Sequence, residues 1–232
     1  MIKDDVCLVA GNLLLAAGGF SQQLREDLLD SLLFSQLYAD TKVVRWSDAE
    51  SWNTECATAL EKVKWQRTVY KNNRFDPKND AQFSIRDSVV GQVRSIFGKN
   101  QVEKFEQLIN GVEHSFVEEA AGGALREHAV ATVKTTDDAD FSTIALQMGI
   151  LGAGAVLYSV FVCFNTIEEV EADFLNQCFS GKHIVGEVSF DFAKQQLDRA
   201  GFERSRMREK IIAQLPDSRD GLILELCPGC IG

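Results

Sequence analysis

Cys227-Pro228-Gly229-Cys230 is the tightest grouping of reactive side chains in the 232-residue chain. Two thiols at this spacing can close a small-ring disulfide, and such pairs often titrate below the free-thiol range, so thiol–disulfide exchange is the chemistry on offer. A redox pair of this type ordinarily sits at the N-terminus of a helix, whose partial positive charge steadies the thiolate. Only Ile231-Gly232 follow it here. One Cys-x-x-Cys is also half of a zinc site, and no second pair completes it. Cys227 and Cys230 therefore define the alternative reading, a thiol–disulfide redox component, against a frayed segment with incidental thiols.

The other groupings are weaker. His114 and Glu118 lie four apart, a spacing that starts a metal site on one helix face but equally makes an ordinary surface pair. Asp137, Asp138 and Asp140 cluster without the alternating carboxylates and turn glycine of a calcium loop, which leaves a solvated acidic turn. Gly152-Ala153-Gly154 echoes a dinucleotide-binding turn, yet Leu157 stands where a third small residue is needed and strand-like residues follow instead of a helix. Arg199, Arg204, Arg206, Arg208 and Lys210 are interspersed with Asp198, Glu203 and Glu209, the pattern of a mixed solvent face. No nucleophile elbow orders a catalytic triad. The expectation is a chain with no catalytic residues, no metal and no cofactor.

Composition bounds the class. Apolar residues make up 45% and charged residues 25%, the balance of a folded globular chain. A formal charge of -10 argues against nucleic acid as partner, because phosphate neutralisation supplies most non-specific affinity. Six scattered cysteines are too few for a disulfide-stapled scaffold; Cys56 and Cys163 read as small buried hydrophobes, and a reducing, cytoplasmic setting is the simpler expectation. Secretion without a cleavable signal is the other option. Residues 6–20 (VCLVAGNLLLAAGGF) resemble a signal-peptide core, but more acid than base precedes them, so they are read as folded structure.

The elements that would position any site follow from periodicity. Ser21–Tyr38 carries Leu24, Leu28, Leu32 and Leu33 at helical spacing. Ser47-Asp48-Ala49-Glu50 has capping-box form and opens a helix that gathers Trp52, Cys56, Ala59, Leu60 and Val63 on one side. Thr68–Phe75 reads as a strand. Two further helices are marked by Val89, Val93 and Ile96, then by Val102, Phe105, Ile109 and Val112, with Gly122-Gly123 ending the helical segment. From about Ala129 the period becomes two: strands are expected at Ala129–Lys134, Ile144–Leu151, Ala155–Asn165, Phe174–Phe179 and His183–Phe192. A closing helix over Ala193–Leu215 and a strand at Leu222–Leu226 follow. The fold class is therefore α+β in one domain over residues 1–232. Residues 1–125 are expected to be helix-rich, and residues 126–232 to form a mostly antiparallel sheet with a late helix.

The charge-free run Phe141–Ile167 decides the rest. Its length would suit a spanning helix, but Ile144, Leu146, Met148 and Ile150 alternate with Ala145, Gln147 and Gly149. Val156, Tyr158, Val160, Val162 and Phe164 then alternate with Leu157, Ser159, Phe161, Cys163 and Asn165. Acidic residues border the run where a spanning helix favours Lys or Arg. It reads as a central hairpin, apolar on both faces apart from Gln147 and Ser159, with Gly152 and Gly154 supplying positive φ at the turn. The leading functional reading is a non-catalytic protein that acts through a surface, by self-association, on a macromolecular partner, or as a toxin-like protein engaging a membrane. Ile144, Leu146, Met148, Val156, Tyr158, Val160 and Phe161 are the candidate interaction residues, with full burial between cover layers the simpler resting state.

Overall fold

The computed structural model describes residues 4–77, 81–116, 119–134 and 140–227. It opens on strands, where the sequence pattern predicts helices: β1 (Asp5–Val9) and β2 (Asn12–Ala16) form an antiparallel hairpin. Both turn residues, Ala10 and Gly11, have positive φ (42° and 99°), the backbone that a two-residue hairpin needs. These strands escape a period-two reading because they are buried on both sides. Val6 and Leu8 enter one apolar cluster and Cys7 and Val9 another, so the run is apolar throughout.

Helices α1 (Gln22–Asp40) and α2 (Ala49–Lys62) follow. Ser21 Oγ accepts from the Leu24 amide at 3.3 Å and caps α1. The cap of α2 is Asp48, which accepts from the Ser51 amide at 2.9 Å, and not Ser47, whose hydroxyl donates to the Val44 carbonyl. Strand β3 (Trp65–Phe75) and the short β4 (Gln82–Phe83) lead to α3 (Ile85–Ile96) and α4 (Lys99–Phe116), parted at Gly98 with φ 90°. Helix α5 (Glu119–Ala129) runs through Gly122-Gly123 instead of ending there. Then come β5 (Val130–Val133), β6 (Phe141–Gly152) and β7 (Val156–Thr166). The β6–β7 turn takes its positive φ from Gly154 and Ala155, not from Gly152.

Beyond β7 two expectations need correction. Phe174–Phe179 is not a strand; Phe174 and Leu175 are buried from a turn, and only β8 (Phe179–Ser180) pairs, with β4. Ala193–Leu215 is not one helix. Strand β9 (Ile184–Leu197) continues past Phe192 because Gln195 and Leu197 keep alternating into the core. Asp198 then caps α6 (Arg199–Arg204), accepting from the Gly201 amide at 2.9 Å, and left-handed Arg206 (φ 49°) separates it from α7 (Met207–Ile212). Strand β10 (Ile223–Cys227) closes the described chain.

Among the described residues, eight strands form one sheet in the order β10-β1-β2-β6-β7-β9-β3, with β5 beside the start of β6. Only β2–β6 is parallel, so the sheet is mixed and mostly antiparallel, as an α+β chain with interleaved helices allows. Helices α3, α4 and α5 pack on one side, here the front, through Val89, Val93, Phe105, Ile109 and Leu125. Helices α1, α2, α6 and α7 cover the back. The result is three layers, with the β6–β7 hairpin in the middle one.

Candidate functional site: the central sheet and its covers

The front of β6 and β7 is apolar from Ile144 to Ile150 and from Val156 to Phe164, and that of β9 from Val188 to Phe192, beyond which Lys194 and Gln196 take the same face beside Tyr158 and Val156. Ile144, Leu146, Met148 and Ile150 stand beside Val160, Val162 and Phe164, and these beside Val188, Phe190 and Phe192. Tyr158 extends this surface, its ring 5.3 Å from Phe97 of the front cover. Phe190 lies between Phe75 and Phe192, with ring centroids 6.1 and 6.3 Å away.

The back of the same strands is different in kind. Thr143, Ala145, Gln147 and Gly149 face Asn165, Cys163, Phe161 and Ser159 across the hairpin. Ser189, Asp191, Ala193 and Gln195 continue the surface on β9. Phe161 is the one large apolar side chain in that set, and Leu151, Leu157 and Leu197 appear only towards the hairpin tip. Within Ile144–Phe164 the back carries Gln147 and Ser159 as its polar residues, among Ala145, Gly149, Leu151, Leu157, Phe161 and Cys163. The hairpin's two faces therefore differ in side-chain size more than in polarity, and most of the back's polar groups come from Thr143, Asn165 and β9. Gly149 makes room for side chains of the neighbouring strands: a Cβ there would stand 2.8 Å from Leu14 Cδ2 of β2 and 3.0 Å from Leu157 Cδ1 of β7.

Of the residues singled out in the sequence, Ile144, Leu146, Met148 and Val160 are wholly buried on the front, with Tyr158 and Val156 half-buried beside them. Phe161 is buried on the back, 6.4 Å from the Trp52 ring. Both faces are therefore covered within one chain.

The covers are held differently. Arg45, in the connection between α1 and α2, reaches the sheet and donates through Nη2 to the Ala145 carbonyl. That carbonyl lies in a gap of the ladder: β5 pairing ends opposite Ile144 and β2 pairing begins opposite Gln147. The guanidinium is stacked 4.3 Å from Trp52 and 5.2 Å from Trp46. Burial pulls its pKa down from 12.5 to about 10. Residue order does not single out Arg45, since one arginine between helices carries no periodic signal. On the back, Asn53 of α2 also donates to Asp191 at 3.0 Å. The front cover is tied by polar contacts at its rim: Asn73 to Gln92, Lys104 to Asp4 at 3.0 Å, and the Arg86 amide to the Leu175 carbonyl.

The thiols inside these layers are quiet. Burial pushes Cys7 and Cys163 up to about 12 and raises Cys56 as well, which favours the protonated thiol at each; Cys7 and Cys56 are buried and Cys163 is half-buried. Cys178 is exposed. Cys227 ends β10 opposite Val6, and Cys230 lies outside the described residues, as do Asp137, Asp138 and Glu118. Among the described residues no group of His, Cys, Asp or Glu has the arrangement of a metal site. No described helix is long and apolar enough to cross a membrane.

No family model matches the chain, and no curated protein does. Among solved structures, the chain is similar to the activated Cyt2Ba monomer from Bacillus thuringiensis subsp. israelensis, at 10% identity and a TM-score of 0.46, over 81% of this chain and 97% of that one. A delta-endotoxin matches at 10% identity and a TM-score of 0.47, over 82% of this chain and 83% of that one. The Evf virulence factor matches at 9% identity and a TM-score of 0.36, over 92% of this chain and 81% of that one.

Proposed function

We propose that this chain is a non-catalytic, toxin-like protein whose acting surface is the front of the central sheet, presented to a lipid bilayer when helices α3–α5 move away. The observation that carries this reading is the asymmetry of β6, β7 and β9. These strands have 12, 11 and 14 residues, and about 9–11 tilted residues cross a hydrocarbon core. The front is apolar along both hairpin strands and from Val188 to Phe192 of β9, whereas the back interrupts its apolar residues with Gln147, Ser159, Ser189, Asp191 and Gln195, so the front is the face suited to lipid.

Energetics confine the change to a membrane. Baring ten large apolar side chains costs on the order of 20 kcal/mol in water at about 2 kcal/mol each. That exceeds the roughly 5–15 kcal/mol that keeps a domain folded. Hydrocarbon receives the same surface at little cost, so the cover leaves only where lipid replaces it. The back cover stays, because Arg45 binds it to the sheet by a buried hydrogen bond and Asn53 by a half-buried one.

Vesicles loaded with a self-quenched dye test this directly, with zwitterionic and anionic lipids and from neutral to acid pH. Dye release is expected, together with loss of amide-exchange protection in α3–α5 while α1–α2 keep theirs. Absence of both effects under every condition removes the membrane reading.

A further inference from the structure

Where α2 crosses the back of β7 and β9, a narrow cleft of about 40 Å³ remains between helix and sheet. Its origin is a row of short side chains: Ser159 and Ala193 are register partners on neighbouring strands and leave a hollow that the larger residues around them do not fill. Gln147 and Gln195 line the hollow, only 8% and 3% exposed. Gln147 Oε1 and Gln195 Nε2 have no hydrogen-bond partner in the protein. A buried polar atom left unpaired costs about 1–3 kcal/mol, so one free acceptor and one free donor in the same hollow call for a group that is both donor and acceptor.

The mouth is built for a neutral polar ligand. Asp191 holds it in place, accepting from Asn53 Nδ2 at 3.0 Å, Tyr70 Oη at 2.9 Å and Asn72 Nδ2 at 2.8 Å. Tyr70 is 54% exposed, so the cleft reaches the surface beside an aromatic ring. The nearby Arg67 covers one side of the Tyr70 ring at 5.0 Å and is ion-paired with Glu61 at 3.0 Å, and Asp191 disfavours an anion. A hydroxymethyl or acetamido group donates and accepts at once, carries no charge, and is small. At about 10–15 Å³ for each water, the hollow has room for such an arm but not for a ring.

We propose that this cleft binds a neutral sugar residue, with one hydroxymethyl or acetamido arm between Gln147 and Gln195 and the ring resting against Tyr70. The site belongs to the resting fold and does not depend on release of the sheet front. Sugar binding without vesicle leakage, or leakage without sugar binding, leaves one proposal standing and removes the other.

The test is NMR titration of the intact chain with glucose and, separately, N-acetylglucosamine at millimolar concentrations. At least one sugar is expected to move the side-chain amide signals of Gln147 and Gln195 saturably. A response to N-acetylglucosamine alone assigns the arm as acetamido, and a response to both assigns it as hydroxymethyl. Ala193→Leu fills the hollow and is expected to abolish the response. Tyr70→Ala, at an exposed position, is expected to weaken binding about tenfold or more with the fold intact. Unmoved amide signals with both sugars, as when the hollow holds ordered water alone, overturn the proposal. So does binding that Tyr70→Ala leaves unchanged, or that a folded Ala193→Leu variant retains.

Discussion

Replacing Arg45 by alanine puts the seam between the back cover and the sheet to the test. The Ala145 carbonyl lies where β5 has stopped and β2 has not begun, and Arg45 Nη2 donates to it there. Removing the donor orphans a buried carbonyl, at about 1–3 kcal/mol. Loss of the guanidinium from its place between Trp52 and Trp46 removes roughly 1–2 kcal/mol of cation–π attraction. Together these come to about 2–5 kcal/mol, or a fall in Tm of roughly 4–20 °C at about 2–4 °C per kcal/mol for a chain of this size. Arg45→Met refills the space and sheds the desolvation that pulls the guanidinium down to about 10. Its loss should be smaller, by about 2 kcal/mol. Urea unfolding followed by tryptophan emission measures both, since Trp46 and Trp52 are the residues whose surroundings change. An alanine loss under about 1 kcal/mol, or a methionine variant no more stable than alanine, would refute the assignment of Arg45 as the seam's polar tie.

Phe190→Ala empties a wholly buried position between two rings on the sheet front and should cost about 3–5 kcal/mol, read as a lower urea midpoint at constant slope; a loss under about 1 kcal/mol contradicts the packing described. His128, at the end of α5, has its pKa held below 6.5 by burial and then by the charge of Arg45, partly offset by Glu127 and Asp40. The unfolded chain therefore takes up this proton at higher pH than the fold does. The stabilising contribution is complete above about pH 6.5 and is lost as pH falls through the lower folded value. His128→Gln should flatten the stability curve in that window, and a curve parallel to the parent's counts against it. With Cys227 and Cys230 replaced by serine, a disulfide reagent should modify Cys178 at once, the half-buried Cys163 slowly, and the buried Cys7 and Cys56 only in denaturant. Rapid modification of Cys7 or Cys56 would show that the layers open in water.

Much of the hairpin is legible in residue order. The alternation from Ile144 to Phe164 places both strands and the residues of each face, because a strand buried between layers still sends neighbouring side chains to opposite sides. The N-terminal hairpin is not legible. Val6–Val9 and Leu13–Leu15 are apolar on both faces and too short to show which period governs them. The continuation of β9 past Phe192 is hidden for a related reason: Lys194 and Gln196 give it the look of a helix start, and only pairing with β7 and β3 makes it extended. Arg45 and the hollow over Ser159 and Ala193 are invisible in the sequence, since each depends on side chains that are far apart in the chain.

Local order thus set what one chain segment settles with itself: the helical stripes of α1 to α4, the caps, and the two-residue period of the central strands. Tertiary structure decided which strands lie side by side, which face each cover takes, and where a carbonyl or an amide is left for another group to satisfy. Those outcomes depend on groups brought together across the sheet, and their energies exist only once the layers have met.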